Sequence, residues 1–108
     1  NKPFLIVGTP GGSTIITSVF QIILNVIDFN MGMQEAVDAN RFHHQWLPDA
    51  LIVEKNTLSE KIKNSLNDLG HNIVERNSIG RMDCILIKDD GSLEGGADKR
   101  GDNIAIGY

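Results

Sequence analysis

The sequence has a single cysteine, Cys84, in 108 residues. One thiol excludes an internal disulfide framework and says little about compartment. A basic excess is also missing. Ten Lys and Arg stand against fourteen Asp and Glu, a net charge of −4. The cations are scattered, at Lys55, Lys61, Lys63, Arg76 and Arg81. Nucleic-acid binders concentrate positive charge on one face, so that class of partner is set aside. No apolar run reaches the ~20 residues needed to cross a bilayer. There is no internal repeat and no low-complexity segment. No signal peptide is expected, because Asn1-Lys2-Pro3 leads straight into a strand pattern.

What is present is close to an ordinary small domain. Hydrophobic residues make up 41% and charged residues 22%, near globular values. The length fits one domain, taken here as a single stretch 1–108. Phe4–Val7 is apolar without alternation, which predicts a strand buried on both faces. The ending, Ile104-Ala105-Ile106-Gly107-Tyr108, reads as another strand. A chain that starts and stops inside sheet elements is expected to be a piece of something larger.

A helix is expected over Thr14–Asp28. Its polar residues, Thr17, Ser18, Gln21, Asn25 and Asp28, fall at spacings of three and four and form one narrow stripe. The remaining surface is apolar and needs more cover than the rest of this chain supplies. A short second helix is expected over Met33–Asn40, a loop over Arg41–Asp49 with Trp46 anchored on the core, and a strand over Leu51–Val53. Thr57–Leu69 shows the sharpest helix pattern. Thr57 and Glu60 have the spacing of a capping box. Leu58, Ile62, Leu66 and Leu69 line one face, and Gly70 follows as a left-handed terminator. Strands are expected at His71–Glu75, Cys84–Lys88, Leu93–Ala97 and Ile104–Ile106, with a hairpin turn at Asp89-Asp90-Gly91. The order β-α-α-β-α-β-β-β-β predicts an α+β fold with a mixed, mostly antiparallel sheet and about three helices.

The most chemically suggestive stretch is "VGTPGGSTII", Val7 to Ile16. Glycine costs order, about 0.5–1 kcal/mol per position relative to alanine. Here Gly11 and Gly12 stand just before a helix start, where unpaired N–H groups and the helix dipole favour negative charge. Such a loop can hold a phosphate, or the oxyanion formed when a nucleophile attacks a carbonyl. It can also be a plain tight turn with Ser13 or Thr14 as N-cap. The phosphate reading lacks the Lys-Ser/Thr that ends a P-loop. Elsewhere, His43 and His44 are adjacent, so their side chains diverge, and a metal site is not expected. Cys84 sits mid-strand as a buried, inert thiol. Asp98, Lys99, Arg100 and Asp102 read as a solvated loop.

Three stretches, "GTPGGSTIIT", "ANRFHHQWLPDAL" and the ending "GGADKRGDNIAIGY", together resemble the C-terminal part of the small subunit of the γ-glutamyltransferase (γ-glutamyltranspeptidase) family. The resemblance runs through essentially the whole chain. It implies the C-terminal portion of an αββα N-terminal nucleophile hydrolase sandwich, made as a precursor that cuts itself into two subunits. It further implies a new N-terminal threonine that attacks the γ-carbonyl of glutathione or another γ-glutamyl compound. The γ-glutamyl group then passes to water, an amino acid or a peptide. No cofactor and no metal are implied. Gly11 and Gly12 would supply the oxyanion hole through backbone N–H.

By the same resemblance, the nucleophile and the contacts for the substrate's α-amino and α-carboxyl groups lie upstream or in the large subunit. Residue 1 here is Asn1, so the isolated chain is expected to be inactive. Its partners would be the rest of the small subunit and the large subunit. Self-association of the isolated fragment is also expected, and the parent would be periplasmic or extracellular. Lys99 stands where the family more often has proline. An anion- or phosphate-binding α/β module without catalysis is the alternative reading.

Overall fold

Branched apolar residues favour strands, and short runs of them set the sheets here. The computed structural model describes residues 2–107. Along the chain the elements are β1 (Leu5–Gly8), α1 (Thr14–Ile27), α2 (Met33–Asp38), β2 (Phe42–His43), β3 (Leu51–Glu54), α3 (Glu60–Asp68), β4 (Ile73–Arg76), β5 (Asp83–Ile87) and β6 (Leu93–Ala97). The class is the expected α+β, with three helices and mostly antiparallel pairing. The strands divide between two three-stranded sheets, in the orders β1-β5-β6 and β2-β3-β4. The chain correspondingly forms two compact units. One combines the chain up to Ala39 with the chain from Gly80 onward, and the other is Asn40–Ile79.

The first unit holds the antiparallel sheet with α1 and α2. β1 pairs with β5 from Leu5↔Leu86 to Gly8↔Asp83, and β5 pairs with β6. The hairpin turns as expected, with Gly91 at φ +83°. Asp90 accepts from the Ser92 hydroxyl at 2.6 Å and its N–H at 2.8 Å. These bonds, the hydroxyl first, hold the Asp90 carboxyl below its usual range. Ile22, Val26, Met33, Ala36, Val37, Met82 and Cys84 form the core. Glu94 reaches across from β6 to accept the Met33 N–H at 2.5 Å, which caps α2. It also pairs with Lys88 at 2.8 Å. Lys88 first, and the Met33 N–H second, lower the Glu94 pKa.

Three expectations fail in this unit. β1 is not covered on both faces: Ile6 is 53% exposed, because its outward face has no packing partner in the unit. In α1 part of the polar stripe lies inside. Ser18 and Gln21 are buried, while Ile16 and Phe20 are 78% and 57% exposed. Ser18 and Gln21 thus share the inward side with the core residues Ile22 and Val26, Asp28 stays exposed, and much of the remaining apolar surface is left uncovered within the unit, as expected. Finally, Ile104–Ile106 is not a strand, and both isoleucines are exposed. Asn103 pulls the chain back, donating to Asp83 Oδ1 at 2.6 Å. The tail then crosses a face of β6, where a Cβ at Gly95 would meet Ala105 Cβ at 2.8 Å. It therefore does not extend an edge. Asn1 and Tyr108, the outer ends of the two terminal readings, lie outside the described residues.

The second unit pairs β2 with β3 antiparallel and β3 with β4 in parallel, with α3 as the crossover. β2 lies inside the stretch expected to be loop. Glu54 closes the unit at its neck. Its buried carboxylate accepts the N–H of Arg41 at 2.9 Å and of Ile79 at 2.7 Å. Arg41 is buried as well and donates to the Ile79 carbonyl at 2.7 Å. Trp46 is 76% exposed and anchors nothing. It sits at φ +72°, in a turn where its N–H binds His44 Nδ1 at 3.1 Å and its ring is left outside.

α3 starts two residues later than the capping-box spacing suggests. Thr57 is used elsewhere, its hydroxyl donating to the Glu54 carbonyl at 2.6 Å. Ser59 takes the N-cap role, accepting from the Ile62 N–H at 3.3 Å. The helix ends as expected, with Gly70 at φ +95°. The His71 N–H binds the Leu66 carbonyl and the Gly70 N–H the Asn67 carbonyl, the paired pattern of a Schellman end. No α3 residue is fully buried, and Ile62 and Leu69 stay 48% and 77% exposed.

Candidate active site

Beyond Gly8 the β1–β5 ladder stops, and the chain must turn into α1. Pro10 fixes its own φ. Gly11 follows at φ +139° and Gly12 at φ +60°, values that L side chains rarely adopt. A Cβ at Gly11 would stand 2.5 Å from Thr14 Oγ1, whereas one at Gly12 would meet no atom within 4 Å. Glycine is thus required sterically at Gly11 and by backbone angle at Gly12.

The turn consumes carbonyls and leaves amides. Gly11 C=O accepts the Thr14 N–H at 3.3 Å and the Thr14 hydroxyl at 3.0 Å. Gly12 C=O accepts the Ile15 N–H at 3.1 Å. Ser13 occupies the N-cap position, but its side chain makes no capping bond. Thr14 donates its hydroxyl instead of accepting. Neither residue therefore fills the helix start as expected of an N-cap. Gly11 and Gly12 are both exposed. Among the described residues neither N–H donates to an acceptor. Two bare amides at the positive end of a long helix can stabilise an electron-rich oxygen.

A threonine missed by the sequence reading braces this loop. Thr9 Oγ1 accepts the Arg81 N–H at 2.9 Å and donates to the Pro10 carbonyl at 2.7 Å. Next to Arg81, the Met82 N–H binds Asp98 Oδ2 at 2.7 Å. Asp98 is 1% exposed and pairs with Arg100 at 3.0 Å. Arg100 in turn donates to the carbonyls of Val37 and Ala39, at 3.0 and 3.1 Å. Asp98 and Arg100 are thus an interior clamp, not the solvated loop expected. Backbone groups distant in sequence draw them in.

His43 Nε2 lies 2.9 Å from Gln45 Oε1, and His44 Nε2 lies 3.2 Å from Asp49 Oδ1, local contacts as expected. Cys84 is buried in β5. Among the described residues no helix is long and apolar enough to cross a membrane.

The family model for Gamma-glutamyltranspeptidase matches residues 1–108. This chain belongs to the γ-glutamyltranspeptidase family. It is 42% identical over 108 residues to the glutathione hydrolase proenzyme of Escherichia coli, covering 99% of this chain and 18% of that protein. Among solved structures it is similar to the T380A mutant of Helicobacter pylori γ-glutamyltranspeptidase. That match has a TM-score of 0.87 and 47% identity, over 94% of this chain and 56% of the other. It is also similar to γ-glutamyltranspeptidase from Pseudomonas nitroreducens complexed with L-DON. There the TM-score is 0.88 and the identity 34%, over 97% and 55% of the two chains. The fold is that of the N-terminal nucleophile hydrolase γ-glutamyltranspeptidases, and the relatives are hydrolases and acyltransferases made as proenzymes. The chain spans about a fifth of the curated E. coli relative and just over half of the solved chains.

Proposed function

We propose that this chain is the C-terminal part of a γ-glutamyltranspeptidase small subunit and supplies the oxyanion hole of the assembled enzyme. A threonine hydroxyl from the upstream part of the small subunit attacks the γ-carbonyl carbon of glutathione or another γ-glutamyl compound. The new C–O bond forms as the carbonyl electron pair moves onto oxygen. The N–H groups of Gly11 and Gly12 donate to that oxygen. The pair then returns, the C–N bond breaks, and the leaving amine departs with the proton given up by the threonine hydroxyl, leaving a γ-glutamyl ester. Water, an amino acid or a peptide attacks the ester carbon through the same oxyanion, the ester C–O bond breaks, and the threonine oxygen takes up the proton the acceptor loses. The threonine and the large subunit lie on other parts of the parent, so the isolated chain has no turnover. The parent works in the periplasm or outside the cell, as expected of the family.

The observation that carries this reading is the pair of exposed amides at Gly11 and Gly12, with no acceptor among the described residues. Preorganised donors act where charge develops in the transition state, and losing one costs ~10²–10³ in kcat. The test is Gly12→Ala in the matured parent enzyme, assayed with a γ-glutamyl anilide: alanine keeps the N–H, but its methyl, in the open space beside that amide and at a strained φ, would deny the reacting carbonyl its approach to the donor. Turnover should fall by that factor with the fold intact. Unchanged turnover would reject the assignment. Inorganic phosphate bound at the loop with turnover unaffected by the substitution would instead favour an anion-binding module.

A further inference from the structure

In a trans peptide the C=O and the following N–H point in opposite directions. The peptides joining Pro10 to Gly11 and Gly11 to Gly12 are both trans. Whatever grips the Pro10 oxygen therefore aims the Gly11 N–H. Whatever grips the Gly11 oxygen aims the Gly12 N–H. Both grips include threonine hydroxyls. Thr9 Oγ1 donates to the Pro10 carbonyl at 2.7 Å, and Thr14 Oγ1 donates to the Gly11 carbonyl at 3.0 Å.

The Thr9 hydroxyl is itself fixed. It accepts from the Arg81 N–H at 2.9 Å, the next link after the β1–β5 ladder ends at Gly8↔Asp83. The strand end that presents Arg81 is held one residue on, where the Met82 N–H binds buried Asp98. A hydroxyl can accept from one backbone group and donate to the next at a single atom, which valine lacks and serine keeps. We propose that Thr9 is the positioning residue of the oxyanion hole, with Thr14 in the lesser role. Thr9 orients the first amide through the Pro10–Gly11 peptide plane. Thr14 matters less because its own N–H still binds the Gly11 oxygen when the hydroxyl is gone. This inference rests on the oxyanion reading of Gly11 and Gly12.

The test uses the full-length, matured parent enzyme with Thr9→Val, Thr9→Ser, Thr14→Val and Gly12→Ala. Active sites are counted from the burst of anilide release. The readouts are kcat per site, KM, and the inhibition constant of a serine–borate mixture, which mimics the tetrahedral anion. Thr9→Val should lower kcat about 10-fold, less than the ~10²–10³ of losing a donor outright. KM should hold, and the serine–borate constant should rise by the same factor, as for an interaction made only in the transition state. Thr9→Ser should restore both, and Thr14→Val should have a smaller effect. If Thr9→Val leaves both values unchanged while Gly12→Ala lowers kcat, the positioning role is wrong and the oxyanion reading stands. If Gly12→Ala is silent too, both fall. Fewer active sites with normal kcat per site and normal inhibition would make Thr9 merely structural and overturn the proposal.

Discussion

α1 and α3 begin in opposite ways. α3 is closed by its own sequence, with Ser59 accepting the Ile62 N–H at one end and Gly70 completing the other. α1 has serine and threonine at its start, yet neither accepts an amide there. Its upstream glycines take up angles other residues avoid, are exposed, and have N–H groups with no acceptor among the described residues. A helix that needs only to be stable satisfies its ends locally. A helix start left open, at a cost in backbone freedom, is better explained by a task. α2 lies between the two cases, since its start is capped from a distance by Glu94.

These three starts can be separated by substitution. The largest effect should be on α1. Gly12→Ala in the parent enzyme, whose methyl crowds the retained N–H and keeps the oxyanion from it, should cost ~10²–10³ in kcat, while its melting temperature shifts only by what about 1 kcal/mol of backbone strain produces. Next comes Glu94→Ala, which removes both the α2 cap and the Lys88 pair. It should cost about 1–2 kcal/mol in chemical denaturation, with turnover per active site unchanged.

Glu94 also gives a pH signature. Its folded pKa is depressed below the usual 4.5 by Lys88 first and the Met33 amide second. The stabilisation is fully present above the ordinary carboxylate value and is lost as pH falls through the folded one. An acid titration of stability should show this loss below about pH 4.5, and Glu94→Gln should flatten it. A smaller effect is expected from Ser59→Ala on α3, about 1 kcal/mol, read in urea melts and absent from the kinetics. The smallest is Lys63→Gln, which breaks contacts to Glu60 and Glu75 at 3.0 and 2.7 Å. Glu75 chiefly, then Glu60, raises the Lys63 pKa. The group is at the surface, where salt and side-chain entropy offset such pairs, so the melting temperature should stay within error.

Features set by neighbours in sequence were legible without coordinates. The Asp89-Asp90-Gly91 turn and the Gly70 terminator depend on a few adjacent residues, and both appear where expected. So does the helix start after Gly12. Features set by distant partners were not legible. Thr57 and Ser59 are equally able to cap, and the Glu54 carbonyl decides between them by taking the Thr57 hydroxyl. Periodicity located the polar stripe of α1 but not which side of the helix meets the core, since that depends on what packs there. Asp98 and Arg100 read as solvated because their partners, Met82, Val37 and Ala39, are 16 to 63 residues away. At the candidate site, the glycines were visible in the sequence. Thr9 was not, because its role depends on Arg81 lying opposite.

The Asp98–Arg100 clamp has a consequence for chain continuity. It joins residues before Asn40 to residues after Ile79, alongside the β1–β5 ladder. A protease nick between those two points would sever the polypeptide without breaking any bond of the clamp or the ladder. The two pieces of the first unit should then travel together on a native gel and part only in detergent.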